Sequence, residues 1–471
     1  MPETEKKQPT GLKKSLRLIY VYAIAAGAIF TFIGYWDSIF YEYCGAGTWL
    51  AFLVMTLLIL PIAHVYCELA PLFPKAGGEL IYNTVGLNKH MGFFTSWLIM
   101  AAWIAVPPSA VMAIVQWIFR VLHIQESYQV VTIIALVALV GYCFLSMQNV
   151  EIAGKIQLYM LVFAIGGCLV ATVAFFFSGV WSFSNFKDFF YSQVDSTFGI
   201  PSWLIGMALL ITPFFGFETV PQMVEEGDFP IADSNKAIIG SIVSCGVIYS
   251  LFFFGLGGMP VRALVEEGGA ATGGYLAITT MEQLGGGWSI FAVVFGVASI
   301  LCAIGTCLLG FWLSTVRLLY AMGENNFLPR SFTRLNKHQQ PVLPNILLLV
   351  VSIVFLVMMN AGTFMNDFFN LMSFGCACAY AFTMISAMRI RKKHPEWVSS
   401  YKLKGGNFTR VLALIIAIVV AFFCTLGQSA GSWRSFGIYL AIGVALWLWM
   451  VLVNWKKNKV VIQIPDGPTE Y

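Results

Sequence analysis

One carboxylate between two prolines is the best-placed chemical group in this chain. The segment reads Thr212-Pro213-Phe214-Phe215-Gly216-Phe217-Glu218-Thr219-Val220-Pro221, inside an otherwise apolar stretch. Proline removes a backbone donor and clashes with the preceding turn, so a continuous helix is not expected here. A broken helix frees backbone groups, and a carboxylate beside them can hold an ammonium group or carry a proton. Phe214, Phe215 and Phe217 add aromatic faces that attract ammonium ions, and Phe215 is placed to cover a bound molecule as a gate. A second candidate segment holds Gly27, Thr31, Phe32, Ile33, Gly34, Tyr35, Trp36 and Asp37, with Asp37 a candidate coupling or gating acid, or else a residue facing an outer vestibule. These residues suit recognition and release rather than bond making. The five histidines are scattered and the ten cysteines form no C-x-x-C pair, so no catalytic residue, cofactor or metal is expected. No Walker motif points to ATP-driven work.

The elements that must position these groups are membrane helices. Charged residues make up only 11% of the 471-residue chain, against about a quarter in soluble proteins, and the mean hydropathy is +0.79. Twelve apolar spans are expected at residues 16–41, 47–72, 91–121, 128–146, 156–178, 200–224, 237–258, 288–316, 342–360, 364–388, 411–427 and 435–454. Each supplies the ~20 residues that a helix needs to cross the hydrocarbon core. The alternation of a transmembrane barrel is absent. With an even number of spans both termini share one side, and that side receives 23 of the 27 Lys and Arg. The bias places both termini in the cytoplasm and accounts for the basic clusters without nucleic acid. A multi-pass protein of the cell membrane, moving a small molecule across the bilayer, is the function class that remains.

The two interrupted spans lie five apart and enter the membrane from opposite sides. That pattern predicts an inverted repeat with the site between the broken helices. The expected organisation is an N-terminal arm at 1–15, a first repeat at 16–178, a second at 200–388, two further helices at 408–454 and a tail at 455–471. Pro107-Pro108 is expected to interrupt the third span. Glu68 and Arg317 are expected to hold the cytoplasmic face together, and Glu225, Glu226, Asp228 and Asp233 to form a solvated acidic face.

Three segments carry a resemblance to a known family. They are Glu68-Leu69-Ala70 with Phe73-Pro74-Lys75-Ala76-Gly77-Gly78-Glu79-Leu80-Ile81-Tyr82; Phe215-Gly216-Phe217-Glu218 with Glu225, Glu226 and Pro230; and Ser314-Thr315-Val316-Arg317-Leu318-Leu319-Tyr320-Ala321-Met322 with Phe327-Leu328-Pro329 and Pro341-Val342-Leu343-Pro344. Together they resemble the permeases of the amino acid/polyamine/organocation superfamily. The resemblance implies a five-plus-five inverted repeat of the LeuT type plus two helices, alternating access, and an amino acid or organic amine as substrate. It also implies pocket positions for Trp103 and Trp312. The family's small-residue triplet, whose backbone N–H groups hold a substrate carboxylate, falls here on Thr31-Phe32-Ile33, where bulk hinders close approach. The position of the lysine that replaces sodium in some branches is Ala164. That leaves exchange, proton coupling through another acid, or a cation. A sensor of the same fold that does not transport, and a carrier of another organic cation, are the alternatives. Substrate identity and oligomeric state are not legible in the sequence.

Overall fold

The computed structural model describes residues 11–125, 127–187, 189–192, 198–266, 274–360, 364–426 and 428–462, without side chains at 207–209, 360 and 364–371. The outermost parts of the expected arm and tail, 1–10 and 463–471, lie outside the described residues. The chain is almost entirely helical. In order the helices are α1 (Leu18–Ile29), α2 (Asp37–Cys44), α3 (Thr48–Leu72), α4 (Gly78–Gly86), α5 (Lys89–Val121), α6 (Tyr128–Ser146), α7 (Val150–Phe176), α8 (Ser202–Leu209), α9 (Thr219–Met223), α10 (Ser234–Gly257), α11 (Arg262–Glu266), α12 (Leu276–Leu284), α13 (Gly287–Gly296), α14 (Gly305–Glu324), α15 (Val342–Asn360), α16 (Phe364–Lys393), α17 (Asn407–Cys424) and α18 (Ala430–Trp449). Among the described residues, ten helical segments are long and apolar enough to cross a membrane. Backbone hydrogen bonds closed within each helix are what lets such segments lie in lipid. Large apolar side chains on α6, α7, α17 and α18, among them Val137, Phe144, Tyr159 and Ile415, point outward. In an aqueous protein such a surface would be a liability; here it is the lipid-facing belt.

The inner bundle is α1, α3, α5, α10, α14 and α16. α10 packs along α3 and α1, while α5 packs against both α14 and α16. The chain leaves helical geometry between Ile29 and Asp37, and again between Leu209 and Thr219, where only a 3-10 turn at Thr212–Phe214 intervenes. A π-helical stretch, Val297–Ile304, joins α13 to α14. Pro107 and Pro108 do not interrupt the third span: α5 runs through both. Both prolines are buried among neighbouring helices, whose packing holds the backbone helical despite two missing donors.

One face of the bundle is closed by ion pairs. Arg317 lies fully buried against Glu226, with Nε–Oε2 at 2.8 Å and Nη2–Oε1 at 3.1 Å, and also donates to Gln340. Glu68 accepts from Arg410 (2.6 and 3.0 Å) and Arg391 (2.8 Å), tying α3 to α17 and α16. Glu225 accepts from Lys75 and from the Ala76 amide. The expected solvated acidic face is therefore corrected at two of its four residues: Glu225 and Glu226 are buried, because each has a basic partner that compensates its desolvation, while Asp228 is exposed. Both described ends of the chain meet this face. The Ser15 and Leu16 amides donate to the Glu226 carbonyl, and the Asn326 side chain donates to the Lys459 carbonyl.

Candidate substrate site between two broken helices

The second non-helical stretch touches the end of α1, where the first begins. Gly216 has a φ of +142°, and a Cβ there would lie 2.8 Å from the Ala28 Cβ and 2.9 Å from the Ile29 nitrogen. Only glycine combines that backbone angle with that approach. At the first break, Gly34 (φ +83°) fills the same role; a Cβ would sit 2.2 Å from the Ser299 Oγ.

Interrupted helices expose unpaired backbone groups, and here one hydroxyl serves three of them. Tyr249 on α10 donates to the Ile29 carbonyl (2.7 Å) and accepts from the amides of Thr31 (3.0 Å) and Phe32 (3.2 Å). Asp37 serves the far side of the same break. It accepts from the amides of Gly34 (3.3 Å), Leu276 (2.9 Å) and Ala277 (3.1 Å), and it is fully buried. The expectation of a vestibule-facing Asp37 is corrected: its oxygens cap the start of α12 and the break itself.

Glu218 stands at the second break, fully buried. Its Oε2 accepts from the Gly216 amide (2.8 Å) and the Tyr380 hydroxyl (3.1 Å), and its Oε1 from Trp103 Nε1 (3.2 Å). One carboxylate thus joins the broken segment to α5 and α16. No lysine, arginine or histidine among the described residues pairs with it. Three donors of this kind stabilise a carboxylate without neutralising it. The site can therefore attract a cationic group and can change its proton occupancy.

Beside these breaks lies a small cavity lined by Ala28, Thr31, Phe32, Trp36, Ala102, Val106, Ser109, Ala110, Thr212, Phe215, Cys307, Phe311 and Met372. It offers about 20 Å³ of open space, enough for little more than one water. In this closed-down conformation side chains nearly fill the space. Of the expected pocket residues, Thr31, Phe32 and Phe215 line the cavity. Trp103, Gly216 and Glu218 form the hydrogen-bonded group beside it. Ile33 is buried off the cavity, Phe214 packs near Phe52 and Tyr249, and Phe217 packs on Tyr66 and Tyr380. Trp312 is not a cavity residue. Its Nε1 donates to Asn345 Oδ1 (2.8 Å) on α15, and its neighbour Phe311 lines the cavity. One residue along a helix turns a side chain by about 100°, and the preceding π-helical turns are invisible to a count made at α-helical pitch. Tyr249, Tyr380 and Phe311 were not singled out by sequence reasoning. A tyrosine or phenylalanine in an apolar span carries no mark that separates a site residue from a packing residue.

A family model described as amino acid permease matches residues 16–447. The chain belongs to the amino acid permease family. It is a membrane transport protein rather than an enzyme. The branched-chain amino acid permease BcaP of Lactococcus lactis is 24% identical over 451 residues, covering 91% of each chain. The glutamate/serine transporter AimA of Bacillus subtilis is 23% identical, over 87% of this permease and 80% of that relative. The γ-aminobutyric acid permease of Bacillus subtilis is 25% identical, over 71% and 70%. Among solved structures, a manganese transporter of Eremococcus coleocola superposes with a TM-score of 0.60 at 12% identity, over 95% of this permease and 98% of that chain. That likeness extends to the fold alone.

Proposed function

We propose that this permease is a secondary carrier of an amino acid or a small organic amine, working by alternating access as an exchanger or proton-coupled symporter. On this reading the segments at 16–178 and 200–388 form an inverted repeat, and the broken stretches at 30–36 and 210–218 hold the substrate between them. The observation that carries the reading is the meeting of the second break with the end of α1, at Gly216 and Ile29, beside a cavity too small for any amino acid. A substrate larger than this space enters only if the helices around it move apart. The ion-paired face holds both described ends and, from the Lys and Arg distribution, is the cytoplasmic one. The protein then resides in the cell membrane with both termini inside.

The cavity lining supports a substrate with a small apolar body. Its walls are mainly alanine, valine, phenylalanine, tryptophan and methionine. The polar end of the substrate faces Glu218, Thr31 and the Tyr249 hydroxyl. Since Tyr249 already occupies the Thr31 and Phe32 amides, a carboxylate must displace or share that hydroxyl, whereas an ammonium group has Glu218 to approach.

Solute counterflow in proteoliposomes tests the reading. Vesicles are preloaded with unlabelled leucine, serine, glutamate, γ-aminobutyrate or isopentylamine, and the matching labelled compound is added outside. Transient accumulation of label above equilibrium is expected for at least one of them. Flat traces for all five, with the protein monodisperse, would refute carriage of this class.

A further inference from the structure

Like Glu218 and Asp37, a further buried carboxylate has no cationic partner among the described residues. Glu79 opens α4, in the connection between α3 and α5, and is fully buried. Its Oε2 accepts from Gln222 Nε2 (3.1 Å), while its Oε1 has no hydrogen-bond partner. The hydroxyls of Tyr66 and Tyr82, both buried, also lack hydrogen-bond partners. The other buried acids of this face are treated differently: Glu68, Glu225 and Glu226 each have an arginine or lysine. A desolvated carboxylate with neither cation nor full complement of donors is expensive. A neutral carboxyl in the same place supplies an O–H donor to a hydroxyl oxygen.

Glu79 is also connected to the substrate site. Gln222, one turn past Glu218, bonds Glu79 with its amide nitrogen and accepts from the Gly77 amide with its oxygen (3.0 Å). On the other side, Tyr380 donates to Glu218 and its ring lies 5.9 Å from that of Tyr66. The titratable groups that bear on this cluster are Tyr66 and Cys67 from α3, Tyr82 from α4, Glu218 from the break, and Tyr380 and Cys376 from α16. None is a cation. Burial pushes the Glu79 carboxyl up to about 8, so it takes up a proton across the physiological range.

We propose that Glu79 is a proton-binding site that couples substrate transport to proton entry, receiving its proton from the Glu218 side and releasing it to water when the ion-paired face opens. The proposal rests on the carrier reading above. One proton enters and one leaves in each cycle: Glu79 gains a proton as a neutral carboxyl and gives it up again to water, so it returns to its starting state. Opening of that face breaks the Gln222 contact, since Gln222 belongs to the broken segment and Glu79 to α4. Water then reaches Oε1 and favours the ionised form.

The test uses full-length protein in proteoliposomes with pyranine trapped inside, and whichever of the five labelled compounds shows counterflow. For the wild type, an imposed inward proton gradient is expected to raise uptake several-fold, with substrate-dependent acidification of the lumen. Glu79→Gln is expected to retain counterflow within about twofold, because no gradient drives it, while gradient stimulation and lumenal acidification disappear. Gradient stimulation that survives in Glu79→Gln overturns the proposal. So does wild-type counterflow without acidification, which leaves the carrier reading intact. Absence of wild-type counterflow overturns both. If Glu79→Gln elutes as aggregate, Gln222→Leu reports instead: losing the donor to Oε2 disfavours the ionised carboxyl and shifts the pH midpoint of gradient-driven uptake upward, and an unmoved midpoint overturns the proposal.

Discussion

Replacing Gly216 with alanine tests the contact on which the site depends. Two costs add. The φ of +142° is one that residues with a Cβ rarely adopt, and holding such a residue there costs about 1–3 kcal/mol. The added methyl would meet the Ala28 Cβ at 2.8 Å and, at 2.9 Å, the Ile29 backbone nitrogen, which has no rotamer to move aside. Overpacking of this kind costs about 1–3 kcal/mol more. The closed state is therefore raised by roughly 2–6 kcal/mol, and at about 1.4 kcal/mol per factor of ten its occupancy falls at least ~30-fold. A carrier that must pass through this state loses counterflow in proportion. The control is Gly141→Ala on α6, where a Cβ meets nothing within 4 Å and the helix gains or loses only about 0.5–1 kcal/mol. Initial counterflow rates, normalised to monodisperse protein, separate the two variants. A folded Gly216→Ala protein running within threefold of wild type would refute the claim that the second break must touch the end of α1.

Two further outcomes follow from the same geometry. Arg317→Ala leaves Glu226 buried without its guanidinium, which costs about 3–5 kcal/mol; the variant is expected to lose thermal stability in detergent, and Arg317→Met combined with Glu226→Leu to recover most of it, as read by fluorescence-detected size exclusion after heating. Phe311→Ala enlarges the cavity and is expected to relax substrate selection in a counterflow competition panel, while Trp312→Phe breaks the Asn345 bond and lowers stability by about 0.5–1.5 kcal/mol with the competition profile unchanged. A selectivity change in Trp312→Phe with none in Phe311→Ala would reverse the assignment of these neighbours.

The sequence determined what its periodic and punctuating residues control. Apolar runs of about twenty residues have one low-energy fate in lipid, so the helices from Thr48–Leu72 to Ala430–Trp449 follow closely from composition. Glycine and proline set backbone options locally, so both breaks could be placed, near Gly34 and between Pro213 and Pro221. The tertiary structure decided what those options became. Pro107 and Pro108 look like a break and are not one, because α5 continues through both, buried among neighbouring helices. Glu225 and Glu226 look solvated and are buried, because Lys75 and Arg317, distant in the chain, reach them. Trp312 and Phe311 differ by one position, and only the path of the helix through its π-helical turns tells which faces the cavity. Tyr249 and Tyr380 join the candidate site through single hydroxyls that meet Thr31, Phe32 and Glu218 from more than a hundred residues away in sequence. Local propensity is written in neighbouring residues; the partner of a buried polar group is chosen by the fold, and no neighbour in the sequence records it.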